Sequence, residues 1–498
     1  MRIQYRHLEL LNLLFCYTPV FLFLWGWCRW TVSVPLTLLI LYMFFRYYRT
    51  QDQNSLYSES FTIHRKVLYP VLIGAAALAI ALDYGGMFVN LNNFGDYLRN
   101  GAVPQDLARY EWPVIYTDAE TPSMLTYYLG FYLFPGLVGK IFGSPVLAEI
   151  SLGIMGYIGM ILLFVNIIRL VNSQSVKAQF GAILIYLGFG GMLLFLQLVT
   201  CAFHPDVELG QPHWFVFGSL QYRSTLVSLR WAFPQYYVPI TCLILLYTHS
   251  SERKYYAMWV LPALLCGTWA FTMLVMYAVG DYILASFRDR KVHFDILSWQ
   301  NFSCAAIGLM MLTYLLGCWA VDATDNMQFQ LITDIRYYFI SYLPFCIFMF
   351  GIYFLLIWKD TKKDDFFYLT LAFLCLLPFM RAGKYNDWVM GTSMPALFML
   401  SIYCIRFLIS KPTGKAAKRK WAVLTACLVL NVYYPLHELN TAYHYTGMPA
   451  RSMRIYSDRE GKDIQLCGRT YSIDLGWRTY FTNYNYEESF FYRHIARR

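Results

Sequence analysis

The stretch Asn90–Gly143, NLNNFGDYLRNGAVPQDLARYEWPVIYTDAETPSMLTYYLGFYLFPGLVGKIFG, decides how the rest of the chain is read. It follows a strongly apolar segment and carries five carboxylates: Asp96, Asp106, Glu111, Asp118 and Glu120. It then turns aromatic without staying apolar over the ~20 residues that a helix needs to cross a bilayer. Tyr127, Tyr128 and Tyr132, with Pro135, Gly136 and Gly139, suit a re-entrant or interfacial segment buried against protein. The stretch therefore reads as a loop on one side of a membrane.

Working outward, the chain has 498 residues, of which 58% are hydrophobic, 19% aromatic and only 14% charged. Its repeated apolar runs make it an all-α polytopic membrane protein with about thirteen spans. The long run 255–285, interrupted by Gly267 and Gly280, divides into a hairpin of two short helices. MRIQYRHLELLNLL begins like a signal sequence, but no small-residue cleavage site follows Trp25, Trp27 and Trp30, so it is read as a retained first helix. The net charge of +10 comes from short basic clusters between apolar runs. Such clusters set orientation rather than bind nucleic acid. The twelve cysteines are scattered singly, with neither a CxxC pair nor a Cys/His metal spacing.

Orientation follows from those clusters. With Met1 cytoplasmic and Met124–Phe142 not crossing, Arg46/Arg49/Arg65/Lys66, Arg169/Lys177, Arg253/Lys254, Arg288/Arg290/Lys291, Lys359/Lys362/Lys363 and Lys411/Lys415/Lys418/Arg419/Lys420 all lie inside. If Met124–Phe142 crossed, every later cluster would face outward. The non-crossing reading yields a membrane domain over 1–435 with outer loops 90–145, 201–231, 322–336 and 381–389, followed by an outer tail, 436–498. Polar chemistry then gathers on the side away from nucleotides, in keeping with the absence of GxxxxGK[ST] and GxGxxG.

Three outer segments carry candidate residues. In the first loop a carboxylate such as Asp96 or Asp106 suits a general base towards an acceptor hydroxyl, and the Asp118-x-Glu120 pair suits a divalent cation, magnesium or manganese. Solvated loop carboxylates and helix caps are the plainer reading of each. The second segment, CAFHPDVELGQPHWFVFGSLQYRSTLVSLRW at 201–231, offers Arg223 and Arg230 for a lipid phosphate and Tyr222 for the flat face of a sugar. Gln235, in the AFPQ that follows, joins this donor-binding set. Arg230 and Trp231 equally suit a simple interfacial anchor. The third segment, RAGKYNDWVM at 381–390, holds Lys384 and Asp387, which form either an anion site or an internal ion pair. Within the spans ionisable groups are few: Asp83 near an outer end, Glu149 near an inner end and Asp281 at the cytoplasmic boundary.

GDYLRN, QDL, EWPVIYTD and YYLGFYLFPGLVGKIFG in the first loop, with LQYRSTLVSLRWAFPQ, KYNDWVMGTSMPALF and EESFFYRHIAR later, carry a resemblance. They resemble the GT-C class of polytopic membrane glycosyltransferases, and most closely a group of uncharacterised bacterial multi-spanning GT-C-like proteins. That group usually has Trp after the first Asp, then a basic residue and His; here Tyr97, Arg99 and Asn100 stand at those places. Asn100 has no acid–base chemistry to offer, so by resemblance a catalytic role passes to Asp96 and, less directly, to Asp106 and Asp118. The resemblance implies transfer of a sugar from a polyprenyl-phosphate carrier to an envelope glycan, lipid or protein at the periplasmic face of a bacterial inner membrane. The N-terminus would be cytoplasmic and the C-terminus periplasmic. Two other classes stand beside it. One is a flippase or transporter of a lipid-linked intermediate, disfavoured by the scarcity of polar groups along the spans; the other is a non-catalytic scaffold of an envelope-synthesis complex.

Overall fold

The computed structural model describes residues 1–51, 59–82, 103–117, 122–203, 220–319, 329–383, 386–410, 412–433, 436–437, 440 and 482–497. The chain opens with β1 (Arg2–Gln4), α1 (Tyr5–Trp27) and α2 (Trp30–Gln51), and β2 (Ser60–Thr62) pairs antiparallel with β1 ahead of α3 (Arg65–Ala81). Next come α4 (103–109), β3 (Ile115–Tyr116), β4 (Ser123–Leu125), α5 (Gly130–Ile141), α6 (Pro145–Val171), α7 (Val176–Leu187) and α8 (Leu193–Phe203). The middle of the chain forms α9 (Thr225–Trp231), α10 (Tyr237–Thr248), α11 (Tyr256–Val260), α12 (Thr268–Asp289) and α13 (Trp299–Trp319). After β5 (Gln330–Leu331) follow α14 (Ile335–Thr361), α15 (Asp365–Leu376), β6 (Met380–Arg381), α16 (Asp387–Ile409), α17 (Lys415–Asn431) and β7 (Thr482–Asn483).

The expectation of a polytopic helical membrane protein holds: seven helices among the described residues are long and apolar enough to cross a bilayer, namely α1, α2, α6, α12, α13, α14 and α16. About thirteen apolar runs yield fewer full-length helices because several runs break. The run over 178–200 divides between α7 and α8 near Gly188, and the run over 365–379 supplies only a 12-residue helix and a 3-10 turn. The run over 255–285 does break at Gly267, but unequally. Tyr256–Leu265 is a short helix with a 3-10 continuation, whereas α12 has 22 residues, enough for a full crossing of about 33 Å.

Local chemistry explains the ends. Ser144 caps α6 by accepting from the Leu147 amide at 3.4 Å, Pro145 supplies a first residue that needs no donor, and Asn172 closes the helix in the left-handed conformation. Asp364 caps α15 through the Phe366 amide at 3.0 Å. In α14 the two π turns, Tyr338–Tyr342 and Ile347–Gly351, flank Pro344, whose missing N–H breaks the regular ladder.

Packing inside the bundle follows membrane rules. Gly136 and Gly139 of α5 lie against Leu107, Ala108 and Ala148, so small residues let α5 approach α4 and α6 closely. Asn12 and Asn166 exchange amide hydrogen bonds of 3.0 and 2.9 Å between α1 and α6, satisfying polar groups that lipid cannot. The 12-residue α5 is about 18 Å long, too short to cross, and it sits beside α6 with most of one side buried.

Helices α1, α12 and α16 set two ends of the bundle. Met1, Glu9, the Arg169 end of α6 and the Arg406 end of α16 mark the first face; Trp27, Trp112 and the Asp387 end of α16 mark the second. The described C-terminal segment returns to the second face. β7 adds to the β3–β4 hairpin, with Met124 opposite Asn483 and Leu125 opposite Thr482. Further on, Phe491 is fully buried against Phe23 and Tyr314, and Arg29 donates to the Arg493 and Ala496 carbonyls at 2.6 and 2.9 Å.

Candidate functional site

The site builds up from the second face. The expected outer loops meet there in pairs: the first with the C-terminal segment through β4 and β7, and the third with the fourth through β5 and β6, where Gln330 faces Arg381. Tyr128, at the end of the first loop, accepts a hydrogen bond from the Gln235 side-chain amide, which joins the first loop to the turn after the second. Gln235 in turn lies against Gly267, where a Cβ would sit 3.1 Å from the Gln235 Cβ, so this glycine lets the start of α12 approach the pair closely.

Arg230 precedes this turn on the seven-residue α9. It is 1% exposed, and its guanidinium lies 5.2 Å from the Trp231 ring centroid. Burying a guanidinium is costly unless an anion or strong acceptors meet it. Tyr128, Gln235, Trp231 and Arg223 are each half-buried. Trp269, at the start of α12, packs on Trp388 and Phe329 with ring centroids 5.8 and 6.0 Å away, which places Asp387 at the edge of an aromatic wall.

Asp106 sits deeper. It is fully buried on α4, and the Tyr116 hydroxyl donates to its Oδ2 at 2.7 Å. Trp112 fixes the same loop by donating to the Leu107 carbonyl at 2.8 Å and packing on Trp27. This arrangement suits a carboxylate that holds the loop in shape. Tyr222 is committed to packing as well: its hydroxyl donates to the Leu374 carbonyl at 2.6 Å and its ring lies between Phe345 and Phe350. Neither its ring face nor its hydroxyl is left for a sugar. Asp387 begins α16 beside Gly383 and after Asn386, which adopts the left-handed conformation.

Asp96, Asp118, Glu120 and Lys384 lie outside the described residues. Among the described residues no group of three or more His, Cys, Asp or Glu is placed to hold a metal ion. The structure thus joins Gln235 to Tyr128, with Arg230 buried on the short helix that precedes Gln235, while Asp106 is bonded to Tyr116 and Tyr222 to the Leu374 carbonyl.

Two features escape a linear reading. Glu149, expected near an inner end, accepts from Gln105 at the second face, because α6 begins there and runs to Arg169 at the first. At the first face Glu9, 1% exposed, meets His249 at 3.1 Å and accepts from the Tyr47 hydroxyl, with Trp259 stacked on His249. Compared with known proteins, no family model, curated protein or solved structure matches this chain.

Proposed function

We propose that the chain is a membrane glycosyltransferase that moves a sugar from a polyprenyl-phosphate carrier to a cell-envelope acceptor. The observation that supports this reading most directly is the buried guanidinium of Arg230 on the helix that leads into Gln235, whose side-chain amide meets Tyr128. These groups sit on segments too short to cross, set within a bundle of crossing helices. An anionic lipid with a polar head is a ligand whose parts fit that combination: an apolar chain among helices, a phosphate for arginine and hydroxyls for an amide and a phenol.

In this reading the bundle is GT-C-like, with about thirteen crossings; the second face is periplasmic and the first cytoplasmic. The carrier phosphate rests on Arg230 and Arg223, and Gln235 and Tyr128 hold sugar hydroxyls. Asp96 is the general base. It takes the proton of the acceptor hydroxyl, the acceptor oxygen bonds to the anomeric carbon, and the bond from that carbon to the phosphate oxygen breaks, releasing polyprenyl phosphate. Buried Asp106 holds α4 to Tyr116. A divalent cation held by Asp118 and Glu120 would supply charge neutralisation at the leaving phosphate.

The decisive test is transfer by purified Asp96→Asn in liposomes containing the carrier. Transfer is expected to disappear while expression and thermal stability stay as in the parent protein; near-normal turnover would remove Asp96 from this role.

A further inference from the structure

The first face carries a cavity of about 720 Å³ on the far side of the bundle from Arg230. Its lining comes from the loop after α10, the ends of α12 and α16, and the turn between α14 and α15, including Arg253, Asp281, Arg288, Lys363, Asp364 and Arg406. That volume is within the range of small-molecule sites. Three of its basic residues, Arg253, Arg288 and Lys363, belong to sequence clusters that read as orientation signals.

Its charges separate into committed and uncommitted groups. Asp365 pairs with Arg288. Asp364 accepts from the Tyr247 hydroxyl at 2.8 Å with one oxygen and caps α15 with the other. Arg406 donates to the same Tyr247 hydroxyl at 2.8 Å and to the Leu170 carbonyl at 3.0 Å, and Asp281 accepts from Tyr256. Asp360 is exposed.

Arg253 is different. It is 8% exposed, its Nε has no hydrogen-bond partner, and among the described residues no carboxylate forms an ion pair with it. Its backbone is held rigidly, because Asn301 of α13 donates to the Arg253 carbonyl at 2.7 Å and Ser298 donates to the Lys254 carbonyl at 2.7 Å. Lys363 stands exposed in the same lining. A buried guanidinium with an unused donor is costly to maintain unless an anion completes it. The hydroxyl-bearing Ser250 and Ser251 line the same wall.

We infer that this cavity is a binding site for a phosphate group, anchored by Arg253 and steered by Lys363. The phosphate belongs either to a soluble phosphoester or to a lipid headgroup at the membrane surface. The inference stands apart from the transferase reading, since Arg253 and Arg230 lie at opposite ends of the bundle.

The test uses the full chain in nanodiscs. Binding of inorganic pyrophosphate is followed by thermal shift in phosphatidylcholine discs, and retention of phosphatidylglycerol is followed by native mass spectrometry from mixed discs. Arg253→Met is expected to weaken whichever probe binds by about tenfold or more, and Lys363→Met by roughly threefold. Pyrophosphate binding identifies a soluble phosphoester, and retained phosphatidylglycerol without pyrophosphate binding identifies a headgroup. Lys363 is exposed, so its variant keeps the fold and decides the matter if Arg253→Met does not fold. Failure of both probes to bind, or equal binding by the parent and Lys363→Met, overturns the proposal.

Discussion

Phe491→Ala tests whether the C-terminal segment is a working part of the second face. Phe491 is fully buried, 5.9 Å from the Phe23 ring and 5.3 Å from that of Tyr314. Emptying such a position costs about 3–5 kcal/mol. The cost falls on docking of one segment rather than on the whole bundle. The anchors that remain include the β4–β7 pairing, the Arg29 amide to Ile495 at 2.9 Å, the two Arg29 guanidinium bonds and the Arg497 amide to Trp27 at 2.8 Å. Undocking should therefore become more frequent by roughly two to four orders of magnitude. Hydrogen exchange of the amides in 482–497 reads this directly. The Tyr127 amide should lose protection as well, because it donates to the Tyr314 hydroxyl at 3.2 Å while that hydroxyl donates to the Leu125 carbonyl at 3.1 Å. Phe490→Ala, at a position 60% exposed, is the control and should change little. Protection of 482–497 within about threefold of the parent in Phe491→Ala would refute the reasoning.

Two further outcomes concern Asp106 and Gln235. Tyr116→Phe removes the phenolic donor to buried Asp106 and should lower stability by about 1–3 kcal/mol, seen as a lower Tm in detergent or discs; an unchanged Tm would show that Asp106 does not rely on that bond. Gln235→Ala should raise KM for the carrier by about tenfold with a smaller change in kcat, whereas Tyr222→Phe should leave KM unchanged. The opposite order of effects would exchange the roles given to those two residues.

The helical membrane class is legible in the apolar runs because hydropathy over a bilayer's thickness is a one-dimensional property. Helix integrity is less so. Gly188 ends α7 and Gly267 opens α12, yet Gly280 and Gly308 sit inside unbroken helices, so a glycine alone does not report whether neighbouring packing compensates the break. Residues near each other in sequence, such as Arg230 and Gln235, could be grouped by eye. Tyr128 and Gln235 are 107 residues apart, and Glu9 and His249 are 240 apart. Nothing in composition or spacing joins such partners, because their meeting is decided by which short helices stack. Tyr222 shows the converse: an aromatic residue beside Arg223 suits a ligand in sequence, while the fold spends it on Phe345 and Phe350.

Helices α12 and α16 connect the two polar ends. Trp269 and Asp387 begin them at the second face; Arg288 and Arg406 end them at the cavity, about 28 Å away by helical rise. A sequence reading that counts loop residues credits the second face with the chemistry, since its loops are long and the first-face loops are short and basic. Short loops nevertheless converge when their helices pack together, and α12 packs on α16. The basic clusters at 253–254, 288–291 and 359–363 therefore have two separable roles, orientation through their sum and ligand binding through particular members. Replacing Lys363 alone leaves most of the summed charge in place, so an effect of that variant on phosphate binding with unchanged membrane insertion would assign it to the cavity rather than to topology.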